Sequence, residues 1–275
     1  MDITPEMVRA LREKTGLPMM ECKRALQEAH GDEAAAIEIL RKKGLGQVSK
    51  RSARETSEGR VACYVDPQSG GAGIVELLCE TAPVANTDDF IQLAQFIARQ
   101  AAVLTAPTPE SVLRQPVPDR PGRKLAELMT DVVNRIRENI RIARLASLRG
   151  HVGHYVHHNG QVGVLVELSG ECPAEIKADV CMHVAAMKPQ CTRREELDPA
   201  VVEHERQLAA EQVQGKPANI VDKIVAGKLN RWYSEVVLLE QPFVKEEKKT
   251  VGEMLLAAVP GLTVQRFLRY EVGGA

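Results

Sequence analysis

Aromatic residues are scarce in this chain. Phe, Trp and Tyr supply 3% of the 275 residues against an apolar share of 44%, so the core has to be built from Ala, Val, Leu and Ile. Neither sign of charge dominates, with 36 Lys and Arg against 37 Asp and Glu, and the basic footprint of a nucleic-acid-binding protein is missing. Direct binding of nucleic acid is therefore not expected. No apolar run reaches the roughly 18 residues of a membrane span. The opening MDITPEMVRA also lacks the basic and apolar regions of a signal peptide. The expectation is a cytoplasmic protein with no membrane partner. Cys22, Cys63, Cys79, Cys172, Cys181 and Cys191 form no C-x-x-C pair and no disulfide spacing, which leaves reduced, mostly buried thiols. Missing too are the phosphate-binding G-x-x-x-x-G-K-[ST] loop, the Rossmann fingerprint and the G-x-S-x-G elbow. The chain is read as no enzyme, with no catalytic residue and no cofactor.

What is present begins near the N-terminus. Thr4-Pro5-Glu6 offers an N-cap hydroxyl, a proline at the first helical position and an acid against the helix dipole. Met7, Leu11 and Lys14 share one face of that helix. Gly16 can close it in the left-handed conformation, and Pro18 restarts the chain into a second helix striped by Cys22, Leu26 and Ala29. Met19 and Met20 stand at its mouth, where one is expected to be buried and the other to contact a partner. Gly31-Asp32-Glu33 breaks and recaps the chain, and Ile37 and Leu40 mark a third helix ending near Gly44. Three helices in about 45 residues sit near the lower size limit of a self-supporting domain. The basic run Ser49-Lys50-Arg51-Ser52-Ala53-Arg54 then reads as a tether, either solvated or touching a partner.

A duplication follows. VACYV (61–65) leads through a Gly-rich loop to GIVELLCE (73–80), and VGHYV (152–156) leads through Asn159-Gly160 to GVLVELSGE (163–171). Asn-Gly suits a two-residue hairpin because both positions tolerate positive φ. Each hairpin precedes a helix. The first opens at Thr87-Asp88-Asp89 with Phe90, Leu93, Ala94, Ile97 and Ala101 on one face; the second opens at Pro173 with Ile176, Val180, Val184 and Met187. Two hairpin-plus-helix units imply paired, pseudo-symmetric α+β subdomains. Between them, 105–122 holds five prolines and is read as irregular, leading into a long helix from about Arg123 with Leu125, Leu128, Val132, Ile136 and Ile140 on one stripe. Residues 197–233 read as a helical hairpin broken at Gly215-Lys216-Pro217, followed by a loop (241–250), a short helix (251–259) and an alternating strand (264–272).

Leu11 to Gly44 resembles the N-terminal ubiquitin-associated-type domain of the bacterial elongation factor Ts family. The likeness continues at Arg137-Glu138-Asn139-Ile140, Met182-His183-Val184-Ala185-Ala186, Gly215-Lys216-Pro217, Gln241-Pro242-Phe243-Val244 and Tyr270-Glu271-Val272-Gly273. The fold it implies is α+β: an N-terminal three-helix ubiquitin-associated-like domain (1–48), a basic tether (49–60), and two core subdomains. The first core subdomain is 61–150 and the second is 151–190 with 239–275, interrupted by an inserted helical hairpin, or coiled-coil arm (191–238). The arm is also a candidate for homodimer contact. Longer family members continue into a further C-terminal module, whose contact the resemblance implies is missing here.

The resemblance also implies a function: nucleotide exchange on elongation factor Tu, by disturbing its phosphate and magnesium region. Its partner-facing positions fall on Arg12, Met19, Met20, Lys23, Arg51, Thr81, Ala82, Pro83, Val84, Ile136, His157 and Val244. One departure stands out. The family's Thr-Asp-Phe-Val-Ala segment, whose phenylalanine wedges into the partner, reads Thr81-Ala82-Pro83-Val84-Ala85 here. Neither alanine nor proline fills the volume of phenylalanine, so exchange is weaker or Pro83 acts as a smaller, rigid wedge. Thr87-Asp88-Asp89-Phe90 imitates the lost motif but suits a helix cap with Phe90 turned inward. Two alternatives stay open. A paralogue could bind elongation factor Tu without ejecting nucleotide, and a metal-binding protein or metalloenzyme could use His151, His154, His157 and His158. His183 is read as a satisfied core histidine.

Overall fold

The computed structural model describes residues 2–213 and 218–274. Three helices open the chain: α1 (Pro5–Thr15), α2 (Met19–Glu28) and α3 (Glu33–Arg51). Thr4 Oγ1 accepts the Met7 N–H at the start of α1, and Gly16, at φ 68°, closes it by donating its N–H to Arg12 O. Val8, Leu11, Cys22, Ala25, Leu26, Ala36 and Leu40 form their shared core. The third helix does not end near Gly44 but continues to Arg51, so the first three residues of the expected 49–60 tether are helical. Gly44 serves a close approach instead of a stop. A Cβ there would lie 1.9 Å from Asn134 Nδ2, and the missing side chain lets α3 lie against the later core helix that carries Asn134.

The core follows in chain order as β1 (Glu58–Val65), β2 (Gly71–Cys79), α4 (Ala82–Ala85), α5 (Asp88–Val103), α6 (Pro109–Leu113), β3 (Pro116–Val117), β4 (Arg120–Lys124), α7 (Leu125–Ile136) and β5 (Arg141–Arg149). Its second half comprises β6 (His151–Val156), β7 (Val162–Leu168), α8 (Ala174–Met187), α9 (Pro199–Glu211), α10 (Ala218–Val236), β8 (Pro242–Phe243), β9 (Glu246–Thr250), α11 (Val251–Ala258) and β10 (Val264–Glu271). Two three-stranded antiparallel sheets result, in the orders β1-β2-β5 and β10-β7-β6. Helix α5 covers the outer face of the first sheet and α8 that of the second. The inner faces meet through Val61, Cys63, Ala72, Ile74 and Leu148 on one side and Val152 and Leu165 on the other. Gly73 lets α5 come close: a Cβ there would stand 2.1 Å from Ala98 O.

Several expectations change. The proline-rich stretch contains α6, which Thr108 and Ser111 cap reciprocally, and the small hairpin β3–β4. Proline costs nothing at Pro109 because the first turn of a helix needs no N–H there. Helix α7 stops at Ile136 because Arg137 turns left-handed (φ 67°) and donates its N–H to Val133 O at 2.8 Å. Ile140 is buried but lies beyond the helical stripe, on the approach to β5. That strand was not anticipated: it pairs along β2 from Gly71↔Arg149 to Leu78↔Arg141. The loop at 241–250 holds the hairpin β8–β9. Gly215-Lys216-Pro217, where the arm was expected to break, lies outside the described residues.

A buried ion pair ties the chain's end to the first sheet. Glu76 on β2 receives the Arg144 guanidinium at 2.6 Å and the Gly273 N–H at 3.0 Å, while Arg144 also donates to Glu271 O and lies over the Tyr270 ring. All six cysteines are buried and unpaired, and burial pushes the Cys63 thiol up to about 12. Among the described residues, no helix is long and apolar enough to cross a membrane.

Phe90 is fully buried, and Thr87 Oγ1 caps α5 by accepting its N–H at 3.4 Å. Phe90→Ala should therefore cost about 3–5 kcal/mol in urea denaturation. An exposed, partner-directed ring would leave stability unchanged.

Candidate partner interface

The N-terminal module presents its candidate residues to solvent. Met19 and Met20 are 52% and 58% exposed, so neither is the buried one that was expected. The reason is local: they open α2 directly after Pro18, beyond the reach of α1 and α3, whose contact is made by Cys22, Ala25 and Leu26. Two exposed thioethers side by side form an adaptable apolar patch. Arg12 and Lys23 are exposed on α1 and α2.

The α4 turn is the second exposed feature. Thr81, Ala82 and Pro83 face solvent, while Val84 packs against the core under α5. A four-residue helix cannot hold itself, because nucleation fixes several dihedrals for one hydrogen bond. Glu138 supplies the hold. Its carboxylate accepts the N–H groups of Glu80 and Thr81, both at 3.0 Å, and the Thr81 hydroxyl at 2.6 Å. Glu80 reciprocates by accepting the Asn139 N–H at 2.6 Å, and the buried Asn139 amide donates to Arg54 O at 2.8 Å. Beneath the turn, Cys79 Sγ donates to Thr81 O at 3.3 Å; burial, reinforced by Glu138, pushes that thiol up to about 12, so it stays a donor. The far end is fixed by Asn86 Nδ2 on Ala82 O and by Thr87 Oγ1 on Val84 O. In the sequence Glu138 stands out by resemblance alone; nothing in its spacing announces the clamp.

These features are joined at the seam between module and core. Arg137 reaches Glu21 of α2 at 2.8 Å, and Arg51, half-buried at the end of α3, donates to Val133 O on α7 at 3.3 Å. Arg51 thus belongs to an intramolecular clasp and not to a free tether. Ile136 is partly buried against the first core cluster at the end of α7, one residue from Arg137. Arg60 bridges in the other direction: it donates to Asn86 Oδ1 at 3.2 Å and lies against Gly160 in the β6–β7 turn. His157 sits in that turn with Nδ1 2.9 Å from the Tyr155 hydroxyl.

The histidine cluster disperses. Strand β6 ends at Val156, His151 pairs with Glu171 at 2.7 Å, and the His157 ring packs beside the rings of Tyr155 and His158. Among the described residues, no three His, Cys, Asp or Glu side chains gather in a metal-binding arrangement.

Val244 lies in the second half of the core and is 44% exposed. Its N–H donates to His183 Nδ1 at 3.2 Å, which makes Nε2 the protonated nitrogen facing Gln241 Oε1 at 2.9 Å. Gln241 in turn donates to Glu235 O and Met187 O. Fully buried His183 is thus a satisfied core histidine that also fixes the Val244 loop. Burial lowers its pKa from the ordinary 6.5, against a smaller opposing effect of Gln241. The unfolded chain therefore binds the proton more readily, and this contribution to stability, complete above 6.5, should be lost as pH falls below it. Unfolding free energy and Val244 amide protection measured from pH 7.5 to 5 (about one unit either side of the His range) should both decline. His183→Asn should remove that share of the pH dependence.

Known proteins resemble this sequence over nearly its whole length. A family model described as Elongation factor TS covers residues 80–274, opening at the residue before the α4 turn's N-cap. Elongation factor Ts of Methylococcus capsulatus is 42% identical over 278 residues, 99% of this chain and 93% of that protein. The corresponding protein of Aquifex aeolicus is 39% identical over 287 residues, 100% of this chain and 99% of its own length. That of Nautilia profundicola is 40% identical over 289 residues, 99% of this chain and 93% of its own length. With both module and core included in those alignments, the chain belongs to the elongation factor Ts family of translation elongation factors.

Proposed function

We propose that this protein binds elongation factor Tu and promotes the release of its GDP and exchange for GTP. The work is done by binding and not by bond chemistry: a surface that fits the nucleotide-free partner better than the nucleotide-bound one lowers nucleotide affinity by the same factor. The observation that carries this reading is the α4 turn, exposed at Thr81, Ala82 and Pro83 yet clamped by Glu138. Proline adds rigidity of its own, so the turn presents a small wedge with little ordering entropy to lose on contact. Met19, Met20, Arg12 and Lys23 supply an anchoring surface on the module, and Ile136, His157 and Val244 extend contact along the core. Arg51 supports that surface from the seam.

Ala82 and Pro83 also favour a second reading, a protein that holds elongation factor Tu without ejecting nucleotide. The two separate in one assay. On the exchange reading, saturating protein accelerates the release of fluorescent GDP from the cognate elongation factor Tu; unchanged release with retained binding supports the binding-only alternative. Replacing Ala82→Asp and Pro83→Phe together should raise the accelerated rate, because a buried ring contributes on the order of 2 kcal/mol or more at an interface hot spot.

A further inference from the structure

We infer that Glu138 is a positioning residue for exchange: its carboxylate sets where and in what direction the Ala82-Pro83 turn meets the partner. The inference rests on the exchange reading, but its geometry stands by itself. Both carboxylate oxygens are committed to the turn, Oε2 to the N–H groups of Glu80 and Thr81 and Oε1 to the Thr81 hydroxyl. These are charge-assisted bonds to the N-terminal end of α4, where the backbone N–H groups have no helical partner. The turn's own closure is weak by comparison, since the Ala85 N–H reaches Thr81 O only at 3.4 Å. Thr81, at the N-cap, makes no capping bond of its own; its hydroxyl is turned to Glu138.

The wedge chemistry makes the clamp matter here. A long or aromatic side chain can swing through its rotamers to correct a small misplacement of its backbone, whereas Ala82 and Pro83 have almost no such freedom. Their contact geometry is backbone geometry. The anchor is tied on both sides: Glu138 follows Arg137, which pairs with Glu21 at the surface, and precedes buried Asn139, whose N–H is held by Glu80. A reciprocal exchange of carboxylates, Glu138 on residues 80 and 81 and Glu80 on residue 139, locks the two segments in one register.

Three variants and two readouts test this. In the free protein, amide hydrogen exchange at Glu80 and Thr81 reports the clamp directly. With elongation factor Tu·GDP, titration separates the maximal rate of GDP release from the half-saturating concentration. Glu138→Ala should lose protection at both amides and lower the maximal rate at least about tenfold, as misplacement near 1 Å does elsewhere. Its half-saturating concentration should shift by less than about twofold, because the anchoring surface is untouched. Glu138→Gln, which keeps one acceptor oxygen, should recover part of the rate. Thr81→Val, which removes only the hydroxyl, should lower the rate about fivefold, the equivalent of one hydrogen bond. A folded Glu138→Ala protein with the wild-type maximal rate overturns the inference. If that variant does not fold, a wild-type rate in Thr81→Val overturns it equally. Should the wild-type protein release no GDP, the exchange reading fails and the role of Glu138 falls with it, whereas amide protection would still record the clamp.

Discussion

Glu138 binds the backbone of Glu80 and Thr81 from 58 and 57 residues away, and the exposed end of the first core unit depends on that bond set. Without it, α4 is a four-residue turn with no helical length to stabilise it. With it, the turn joins a continuous polar chain through Asn139 to the segment after α3, and through Arg137 to α2. The methionine patch of the module and the proline wedge of the core are therefore held in one frame. A protein that acts only by fitting its partner needs such a frame, because every loose degree of freedom at the contact is lost on binding.

The same solution recurs at two other loops. Buried His183, on α8, fixes the Val244 segment and is itself held by buried Gln241. Buried Glu76 captures Arg144 and the Gly273 N–H, so that the turn just after β10 is bonded to the first sheet. In each case a surface segment too short to order itself is tied to a polar group emerging from the core. The aliphatic core supplies burial but few specific anchors; these polar ties give the loops their geometry.

Much of this was legible in the chain. Caps, breaks and apolar spacing marked the module's first two helices, α5 with its inward Phe90, and both hairpins, because those signals act within one turn or one strand pair. The third helix was cut short since Gly44 looked like a terminator, and only the approach of Asn134 explains its presence within the helix. Strand β5 escaped notice because RIARLASLR carries three arginines whose partners, Thr56, Glu76 and Val103, lie far away in the chain. The proline-rich stretch hid α6 since proline at a first helical position is permissive. Of the candidate interface, the exposed positions were visible through resemblance, whereas the clamp, the His183 hold and the Arg51 clasp all join residues more than fifty positions apart. Local pattern carries no trace of such pairs.

The proposed function requires differential affinity for two states of the partner, and equilibrium binding tests that requirement most directly. Titration calorimetry should compare the protein with elongation factor Tu stripped of nucleotide and with the same factor saturated with GDP. Binding to the stripped form should be tighter by on the order of a hundredfold, a coupling of about 3 kcal/mol. Equal affinity for the two forms would contradict it, since a ligand that does not distinguish two states cannot shift the balance between them.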